Sequence, residues 1–257
     1  MIIVKSPREI ALMKEAGQLV AKVFDAVEPH IKPGVSTYEL NKIAEDVIYA
    51  GGGSCPCKGY YDYPAGTCVS INDTLIHGIP SKKIILREGD IVSLDVVACL
   101  KGYCADATRT YGVGILKESV KKIMQVTKDA FYEGIKYAKV GNRIGDISSA
   151  IQQYVESYGY NVSRDFTGHG IGKSMHEDPS VPNYGIAGTG PLIQKGMALA
   201  IEPMVLEGKK ETRILGDGWT VKSKDGKLTC HYENTIVITD EGCEVITLTE
   251  GEKKINV

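Results

Sequence analysis

An internal repeat constrains the fold of this chain more than any other feature. The string Ile31-Lys-Pro-Gly34 recurs as Ala138-Lys-Val-Gly141, at an offset of 107 residues (Gly34 to Gly141). The string Leu86-Arg-Glu-Gly89 recurs as Ile193-Gln-Lys-Gly196 at the same offset. A period this long predicts a duplicated half-domain, because stacked solenoid repeats are much shorter. We therefore expect one domain over residues 1–257, with halves of roughly 1–115 and 116–257.

Local sequence signals place the helices and strands of both halves. Ser6 and Ser36 each begin a capping box, with glutamate three residues later, and predict the starts of two helices. The second helix should stop at Gly51. The matching helices of the second half are expected at 117–137 and 144–158. Strands are expected near 68–73, 91–100, 103–113, 197–203, 229–239 and 243–248. This order predicts an α+β fold with helices outside and a curved antiparallel sheet inside.

Four carboxylates and one imidazole form the first candidate site. Asp95 and Glu202 lie in apolar, β-rich runs, where a lone carboxylate is costly to desolvate. Asp106 and Glu233 each precede a threonine by two residues in a strand-like stretch. Asp95 and Glu202 are 107 residues apart, whereas Asp106 and Glu233 are 127 residues apart. We therefore expect an insertion the size of a hairpin at about 204–228. Ion-pair or surface roles are the alternative for these acids, but the strands carry no matching set of basic residues.

Charge balance favours metal ions over that alternative. Four carboxylates against two divalent cations come close to neutral, and oxygen-rich ligand sets suit hard cations. These acids therefore predict a two-metal hydrolase.

Three histidines have settings that suggest a role near these acids. His169 lies in Thr167-Gly-His-Gly-Ile-Gly172, where the glycines let the backbone turn sharply, and we assign it as the nitrogen ligand. His77 and His176 lie in turn-like segments, and we assign both to the substrate. A structural histidine is the alternative for each.

The other two histidines receive no role. His30 precedes a proline-glycine turn. His231 alternates with Glu233 onto the same face of a predicted strand, but it lacks a glycine setting.

Composition excludes several other classes of protein. The net charge is −2 and the pI about 6.2, so no basic stripe can neutralise phosphates and no direct nucleic-acid binding is expected. No apolar run is long enough for a signal peptide or a membrane span, so we expect a cytoplasmic protein with no membrane partner. The seven cysteines are an odd number and favour a reducing compartment over a disulfide framework.

Six strings carry a resemblance that covers nearly the whole chain. They are Asn72-Asp-Thr-Leu-Ile-His-Gly-Ile-Pro80, Leu94-Asp95, Ala105-Asp-Ala-Thr108, Thr167-Gly-His-Gly-Ile-Gly172, Ile201-Glu-Pro203 and Asp217-Gly-Trp-Thr-Val221. In this order they resemble type I methionine aminopeptidases in their short bacterial form. The resemblance implies the pita-bread (creatinase/aminopeptidase) fold with pseudo-two-fold halves. It also implies a metal-dependent hydrolase that removes N-terminal methionine from nascent proteins and favours a small second residue.

The same resemblance implies roles for the site residues. The ligands of two divalent cations (Co, Mn, Fe, Ni or Zn, with the choice left open) would be Asp95, Asp106, His169, Glu202 and Glu233. Glu202 would also accept the proton of the attacking water and help deliver it to the leaving amine. His176 would donate a hydrogen bond to the developing oxyanion, and His77 would contact the scissile-bond nitrogen.

A methionine pocket is implied as well. Its walls would be Cys57, Tyr60, Tyr63, Cys68, Met175 and Trp219. Sulfur and aromatic edges suit a thioether, although a Cys/Tyr cluster taken alone is more often just core. Two residues depart from the family: Met175 replaces the usual phenylalanine and Asn234 the usual histidine. A monovalent cation is also expected near Asn72, Thr74 and Thr229.

Nascent polypeptide N-termini are the expected partners of a monomer, with the ribosome as a further candidate. Two other functions stay open at this point. An X-Pro-cleaving aminopeptidase would share the ligands, although such enzymes usually carry an extra N-terminal domain. A non-catalytic pita-bread module would bind nascent chains or ribosomes, but such modules have typically lost metal ligands, and all five are present here.

Overall fold

Two helix pairs pack against one face of an antiparallel sheet in the computed structural model, which describes residues 1–255. The helices are α1 (Pro7–Val27), α2 (Thr37–Ala50), α3 (Glu118–Ile135), α4 (Ile144–Ser157) and α5 (Glu250–Ile255), with 3₁₀ turns at Glu28–His30 and Tyr60–Asp62. The first strands are β1 (Cys68–Ile71), β2 (Thr74–Ile76), β3 (Ile91–Leu100), β4 (Tyr103–Gly112), β5 (Asn161–Val162), β6 (Thr167–Gly170) and β7 (Glu177–Pro182). The remaining strands are β8 (Ala198–Ile201), β9 (Met204–Leu206), β10 (Thr212–Ile214), β11 (Val221–Ser223), β12 (Thr229–His231), β13 (Glu233–Ile238) and β14 (Cys243–Val245).

The first helices begin and end where the sequence signals predict. The Ser6 hydroxyl accepts the N–H of Glu9, and the Glu9 carboxylate accepts the N–H of Ser6, which completes the capping box of α1. The same box forms at Ser36 in α2, which ends at Gly51. The two second-half helices lie within their predicted ranges. The short α5 was not predicted.

The central sheet joins the two halves of the chain. Its eight strands are antiparallel, in the order β1-β3-β4-β13-β8-β6-β7, and β14 adds beside β13. In its middle, β4 of the first half pairs with β13 of the second, with Thr108 opposite Glu233. The pita-bread fold expected from the sequence is confirmed.

Alternation along the strands separates the core from the site. In β3, Leu94 and Val96 pack under α1 and α2, so the intervening Asp95 lies on the opposite face of the sheet. In the second half, Leu199 and Ile201 of β8 pack under α3 and α4. Each half therefore has a hydrophobic core beneath its own helix pair, as a duplication requires. The bounds of the halves, 1–115 and 116–257, stay a prediction.

The predicted strand at 229–239 is two strands. β12 pairs with β9 in a small sheet, and β13 pairs with β4 and β8 in the central sheet. The chain passes from one sheet to the other at Tyr232. Ligand atoms of His231 and Glu233 nevertheless lie within 4.8 Å of each other, so the two side chains point to the same side, as the alternation predicted. The hairpin-sized insertion is confirmed: β10 and β11 form a hairpin that pairs with β2.

One pair of cysteines differs from the expected reduced state. A disulfide joins Cys99 to Cys104, which face each other across the β3–β4 hairpin. The odd cysteine count did not reveal this pairing, because it depends on strand register. The other five cysteines are free.

The helices were also compared with the dimensions of a bilayer. Within residues 1–255, no helix combines the length and apolar character needed to cross a membrane.

Candidate metal centre and active site

Five neighbouring strands of the central sheet each bring one predicted ligand to the same place. In sheet order β3, β4, β13, β8 and β6, the ligands are Asp95, Asp106, Glu233, Glu202 and His169, with Glu202 immediately after the end of β8. Asp95 pairs with Thr108, and Thr108 pairs with Glu233, so two acids flank one threonine across three strands. The antiparallel pairing thus gathers residues that are far apart in sequence.

Three of the four carboxylates, those of Asp106, Glu202 and Glu233, belong to groups of clustered ligand atoms, whereas Asp95 lines the same cavity without belonging to either group. His169 Nε2 lies 3.6 Å from Asp106 Oδ2 and 3.6 Å from Glu202 Oε1. Ligand atoms of Asp106, His169 and Glu233 all lie within 4.8 Å of each other. Glu233 also belongs to a second such group, with Glu202 and His231. The two groups therefore share one carboxylate.

Burial makes this cluster of acids unfavourable without cations. Asp106 is 4% exposed and Glu233 is 2% exposed. Burial raises the pKa of Asp106 well above its usual range, and the nearby carboxyls of Glu233 and Asp95 raise it further. Burial likewise raises the pKa of Asp95, and it raises those of Glu202 and Glu233 well above their usual range. Within residues 1–255, no lysine or arginine forms an ion pair with these four carboxylates.

Two buried oxygens of the cluster have no partner in the protein. Asp106 Oδ1 and Glu233 Oε1 accept no hydrogen bond from the described residues. Buried polar atoms are normally hydrogen-bonded, and a site for an ion is one of the standard reasons for an exception. Orphaned carboxylate oxygens beside an imidazole fit divalent first-row cations.

Neighbouring hydrogen bonds orient the ligands. His169 Nδ1 lies 2.9 Å from the Gly170 carbonyl, which accepts its proton and leaves the Nε2 lone pair facing the acids. Thr108 Oγ1 donates to Glu233 Oε2 at 2.9 Å. The Thr235 hydroxyl accepts the N–H of Asp106 and donates to its carbonyl, at 2.9 and 2.8 Å. Burial lowers the pKa of His169 to about 4, so it is a neutral nitrogen donor at neutral pH.

One cavity of about 380 Å³ contains every residue assigned to the site from sequence. The metal-ligand candidates line its floor. The remaining predicted residues that line it are Cys57, Tyr60, Tyr63, Cys68, His77, Met175, His176 and Trp219. The structure thus brings the predicted ligands, the two substrate histidines and the predicted methionine pocket into a single space.

Ring contacts fix the two substrate histidines in this cavity. The His77 ring lies 5.8 Å from the Trp219 ring and 6.0 Å from the Phe166 ring. The His176 ring lies 4.5 Å from the His169 ring and 5.7 Å from the Tyr60 ring. Burial lowers the pKa of His77 to about 4 and also lowers the pKa of His176. Both imidazoles are therefore neutral at neutral pH and can donate an N–H.

The predicted methionine pocket is mostly apolar. Tyr63 stacks edge-on against Trp219, with ring centroids 5.1 Å apart, and its hydroxyl donates to the carbonyls of Thr67 and Gly78. Met175 is buried at 6% exposure, so the residue that departs from the family forms part of the wall. Asn234, the other departure, has its amide oxygen occupied by Arg109 and lies on the helix side of the sheet.

Sequence reasoning missed several residues of this site. The additional cavity-lining residues are Ile76, Val97, Phe166 and Thr167. His231 does not line the cavity, but its Nε2 lies 3.4 Å from Glu202 Oε2. Phe166 directly precedes the glycine-rich histidine string, and His231 lies two residues before an acid. Their closeness in sequence to predicted site residues was the only signal that could have indicated a place in the site.

The predicted monovalent-cation residues are partly brought together. The Asn72 carbonyl accepts both the N–H and the hydroxyl of Thr229, at 2.8 and 2.9 Å. The Asn72 amide is held by Asp90 and Ile91. Thr74 follows at the start of β2. The cation itself stays a prediction.

Comparison with known proteins places this geometry in a family. The profile of metallopeptidase family M24 matches residues 11–240. A methionine aminopeptidase of Clostridium acetobutylicum is 50% identical over 97% of this chain and 100% of its own length. A crystal structure of a methionine aminopeptidase from Thermotoga maritima superposes with a TM-score of 0.95 and 44% identity, over 96% of this chain and 100% of that one. A prolidase from Pyrococcus furiosus gives a TM-score of 0.79 and 25% identity, over 96% of this chain and 66% of that one.

The prolidase therefore shares the fold, whereas the methionine aminopeptidases match in fold, in length and in far more of the sequence. M24 enzymes are metal-dependent peptidases, which agrees with the donor set and the orphaned carboxylate oxygens. This chain belongs to metallopeptidase family M24, in its methionine aminopeptidase branch.

Proposed function

We propose that this protein hydrolyses the first peptide bond of nascent polypeptides in the cytoplasm and so removes the N-terminal methionine, with a small second residue preferred. One observation carries the proposal. A sulfur- and aromatic-lined pocket opens onto four buried carboxylates within a single cavity of about 380 Å³. A side chain held in that pocket would place its own peptide bond beside the carboxylates. Three other cavities, beside Arg109, Asn72 and Asn161, do not combine these two features.

Two divalent cations would be held by the five clustered donors, which are Asp95, Asp106, His169, Glu202 and Glu233. When bound, these cations supply Lewis-acid activation of water and of the scissile carbonyl. The donor set is mainly carboxylate with imidazole, which suits several first-row metals. The choice among Co, Mn, Fe, Ni and Zn is to be made by metal analysis of protein purified without added metal.

Glu202 is the proposed proton carrier. Its Oε1 lies 3.6 Å from His169 Nε2, on the floor of the cavity. Burial and the nearby Asp95 raise the pKa of this carboxyl well above its usual range without metal, so bound cations would be needed to keep it ionised and able to accept a proton. Glu202 accepts a proton from the attacking water at a carboxylate oxygen and delivers it to the nitrogen of the leaving amine.

His176 and His77 act on the substrate. His176 packs edge-on against His169, so its ring reaches the edge of the donor cluster and donates an N–H to the developing oxyanion. His77 lies between Phe166 and Trp219 and contacts the scissile-bond nitrogen. Burial lowers the pKa of both imidazoles, so neither ring has to lose a proton before the substrate binds.

The pocket supplies the selectivity. Sulfur–aromatic contacts stabilise a bound thioether by about 0.3–1.5 kcal/mol each, and Trp219, Tyr63 and Tyr60 offer the rings. Phe166 and Ile76 narrow the same cavity. A large second side chain would compete for the space beside the acids, so a small one is favoured.

The test is hydrolysis of Met-Ala-Ser by protein freed of metal with a chelator, before and after each metal is restored. Free methionine should appear only with metal. N-acetyl-Met-Ala-Ser controls for the free amine, and Ala-Pro-Ser tests for an X-Pro enzyme. Preferred cleavage of Ala-Pro-Ser would refute the methionine assignment. Binding of Met-Ala-Ser without release of methionine under any metal would favour a non-catalytic binding module.

A further inference from the structure

His231 is a buried imidazole with no partner that explains it. It ends β12 at 2% exposure, and its Nε2 makes no hydrogen bond to the described residues. Its main chain is held by Thr110, whose hydroxyl donates to the His231 carbonyl at 2.7 Å. An unsatisfied buried nitrogen is costly to retain. The Nε2 lone pair is therefore available to a group outside the described protein residues.

The free nitrogen faces the acids of the metal centre. Nε2 lies 3.4 Å from Glu202 Oε2, outside hydrogen-bond geometry. Ligand atoms of Glu202, His231 and Glu233 lie within 4.8 Å of one another, as do those of Asp106, His169 and Glu233. Each group contains one imidazole, and Glu233 is common to both.

Glu202 lies between the two imidazoles. Its Oε1 is 3.6 Å from His169 Nε2, and its Oε2 is 3.4 Å from His231 Nε2. Metal–nitrogen and metal–oxygen bonds of roughly 2.0–2.2 Å separate two ligands of one ion by about 3.0–3.5 Å. An N–H···O hydrogen bond is shorter, at about 2.7–3.2 Å. The 3.4 Å spacing at His231 thus falls in the range for two ligands of a shared ion, and the 3.6 Å spacing at His169 lies just above it.

We propose that His231 Nε2 is a sixth protein ligand of the metal centre, so that the centre has two imidazoles instead of one. The inference rests on the proposed function only in requiring that divalent cations bind the clustered carboxylates. A second nitrogen ligand shifts the preference of the centre toward metals that favour imidazole, such as Zn, Ni and Fe, and away from Mn, which favours oxygen. The five-ligand assignment made from the sequence is then incomplete for this chain.

Nitrogen–metal scalar coupling tests the proposal directly. Protein labelled with nitrogen-15 histidine is loaded with cadmium-113, and ring nitrogens are observed through their carbon-bound ring protons, which do not exchange. The Nε2 signals of His169 and His231 should both be split by cadmium. The His231→Gln variant should lose one split signal and keep the other. His30→Gln, at an exposed histidine outside the site, should keep both.

The outcomes separate the two levels of inference. A split His169 signal with an unsplit His231 signal in the wild type would overturn the sixth ligand and leave the metal centre intact. No binding of cadmium, zinc or cobalt at all would overturn the proposed function itself. The wild-type spectrum decides the question even where His231→Gln does not fold.

Metal titration gives an independent measurement on folded variants. His231→Gln should weaken Ni(II) binding by about tenfold or more, and by a larger factor than it weakens Mn(II) binding. Equal weakening of both metals would indicate that His231 only orients Glu202, and would contradict the proposal.

Discussion

Thr108 Oγ1 donates a hydrogen bond to Glu233 Oε2 at 2.9 Å across the junction of β4 and β13, while Glu233 Oε1 accepts none from residues 1–255. One oxygen of the shared carboxylate is therefore oriented by the protein, and the other is left for a ligand. The junction is also where the two halves of the chain meet. The strand pair that joins the two halves thus lies at the candidate metal centre.

Removing this hydrogen bond should weaken metal binding more than it weakens the fold. Thr108→Val keeps the shape of the side chain but releases Glu233, and loss of such orienting partners costs about 10–100-fold in metal affinity. Calorimetric titration of metal-free protein measures it. Thr127→Val is the matched control, because Thr127 is also fully buried but bonds within α3. A comparable loss in both variants would show a general destabilisation.

His77→Ala and His176→Ala should keep their metal and lose turnover. Both side chains line the cavity, and neither belongs to the two groups of clustered ligand atoms. Loss of one oxyanion donor typically lowers kcat by about 10²–10³-fold. Metal content and kcat on Met-Ala-Ser are measured on the same preparations, with His30→Ala as the exposed control. Depleted metal in either variant would contradict the assignment to substrate.

Metal binding should release protons, and the metal-free protein should lose stability as the pH rises. The raised pKa values of Asp106, Glu202 and Glu233 mean that the folded protein holds protons that the unfolded chain has already released. Folded stability then falls with rising pH above the ordinary carboxyl values near 4. His169 and His77, with pKa lowered to about 4, act in the opposite direction only below 6.5.

Above pH 6.5 the histidines no longer oppose this trend, and the buried thiols, whose pKa values are also raised, act in the same direction as the carboxyls toward pH 8.5. Over this range the melting temperature of the metal-free protein should fall, while that of the metal-bound protein changes less. Calorimetry in buffers of different ionisation enthalpy should detect net proton release on metal binding. Metal binding without proton release at pH 7 would mean that the four acids are already ionised in the metal-free fold.

Met175→Phe should sharpen selectivity for methionine. Met175 is flexible and forms part of the pocket wall, so the native wall adapts to other side chains more easily than a rigid ring would. The ratio of kcat/KM for Met- over Leu-initiated peptides should rise in the variant. The corresponding change in the difference between the two activation free energies should be no more than about 1–3 kcal/mol. Because Met175 packs in a buried cluster, thermal unfolding is measured alongside. An unchanged ratio in a folded variant would show that Met175 does not shape the pocket.

Glu177→Gln should damage the fold and the placement of His176 together. Glu177 forms a buried ion pair with Lys5, with side chains 7% and 3% exposed, and also accepts the N–H groups of Lys173 and Ser174. Breaking a buried ion pair typically costs about 3–5 kcal/mol. The variant should melt earlier and show lower kcat with a smaller change in KM.

The exposed pair of Lys195 and Asp240 provides the control for that experiment, with side chains 62% and 74% exposed. Asp240→Asn should change neither stability nor kcat appreciably. Full activity of folded Glu177→Gln would show that the Lys5 pair does not position His176.

Local sequence patterns were sufficient for much of the architecture. The capping boxes at Ser6 and Ser36 located α1 and α2 because the bonds that start a helix join residues three positions apart. Alternation located β3 and β4, and the 107-residue repeat indicated that Asp95 and Glu202 are equivalent. The ligand candidates followed from chemistry, because carboxylates in apolar strands need compensation.

The remaining features depend on contacts between distant segments. The short strands β6 and β7 contain glycines and prolines that do not predict strands. They form because β6 pairs with both β8 and β7. The disulfide between Cys99 and Cys104 follows from hairpin register, which no cysteine count reveals.

His231 shows most clearly which features follow from local sequence and which follow from contacts between distant segments. By itself the sequence determined a duplicated α+β domain with four buried acids and an imidazole, since periodicity, capping and side-chain chemistry are local properties. Only the tertiary structure decided that the chain changes sheets at Tyr232, because strand pairing is a long-range interaction that overrides a continuous β pattern. Only the tertiary structure also places His231 Nε2 3.4 Å from Glu202 Oε2, because that contact joins two segments that no local pattern connects.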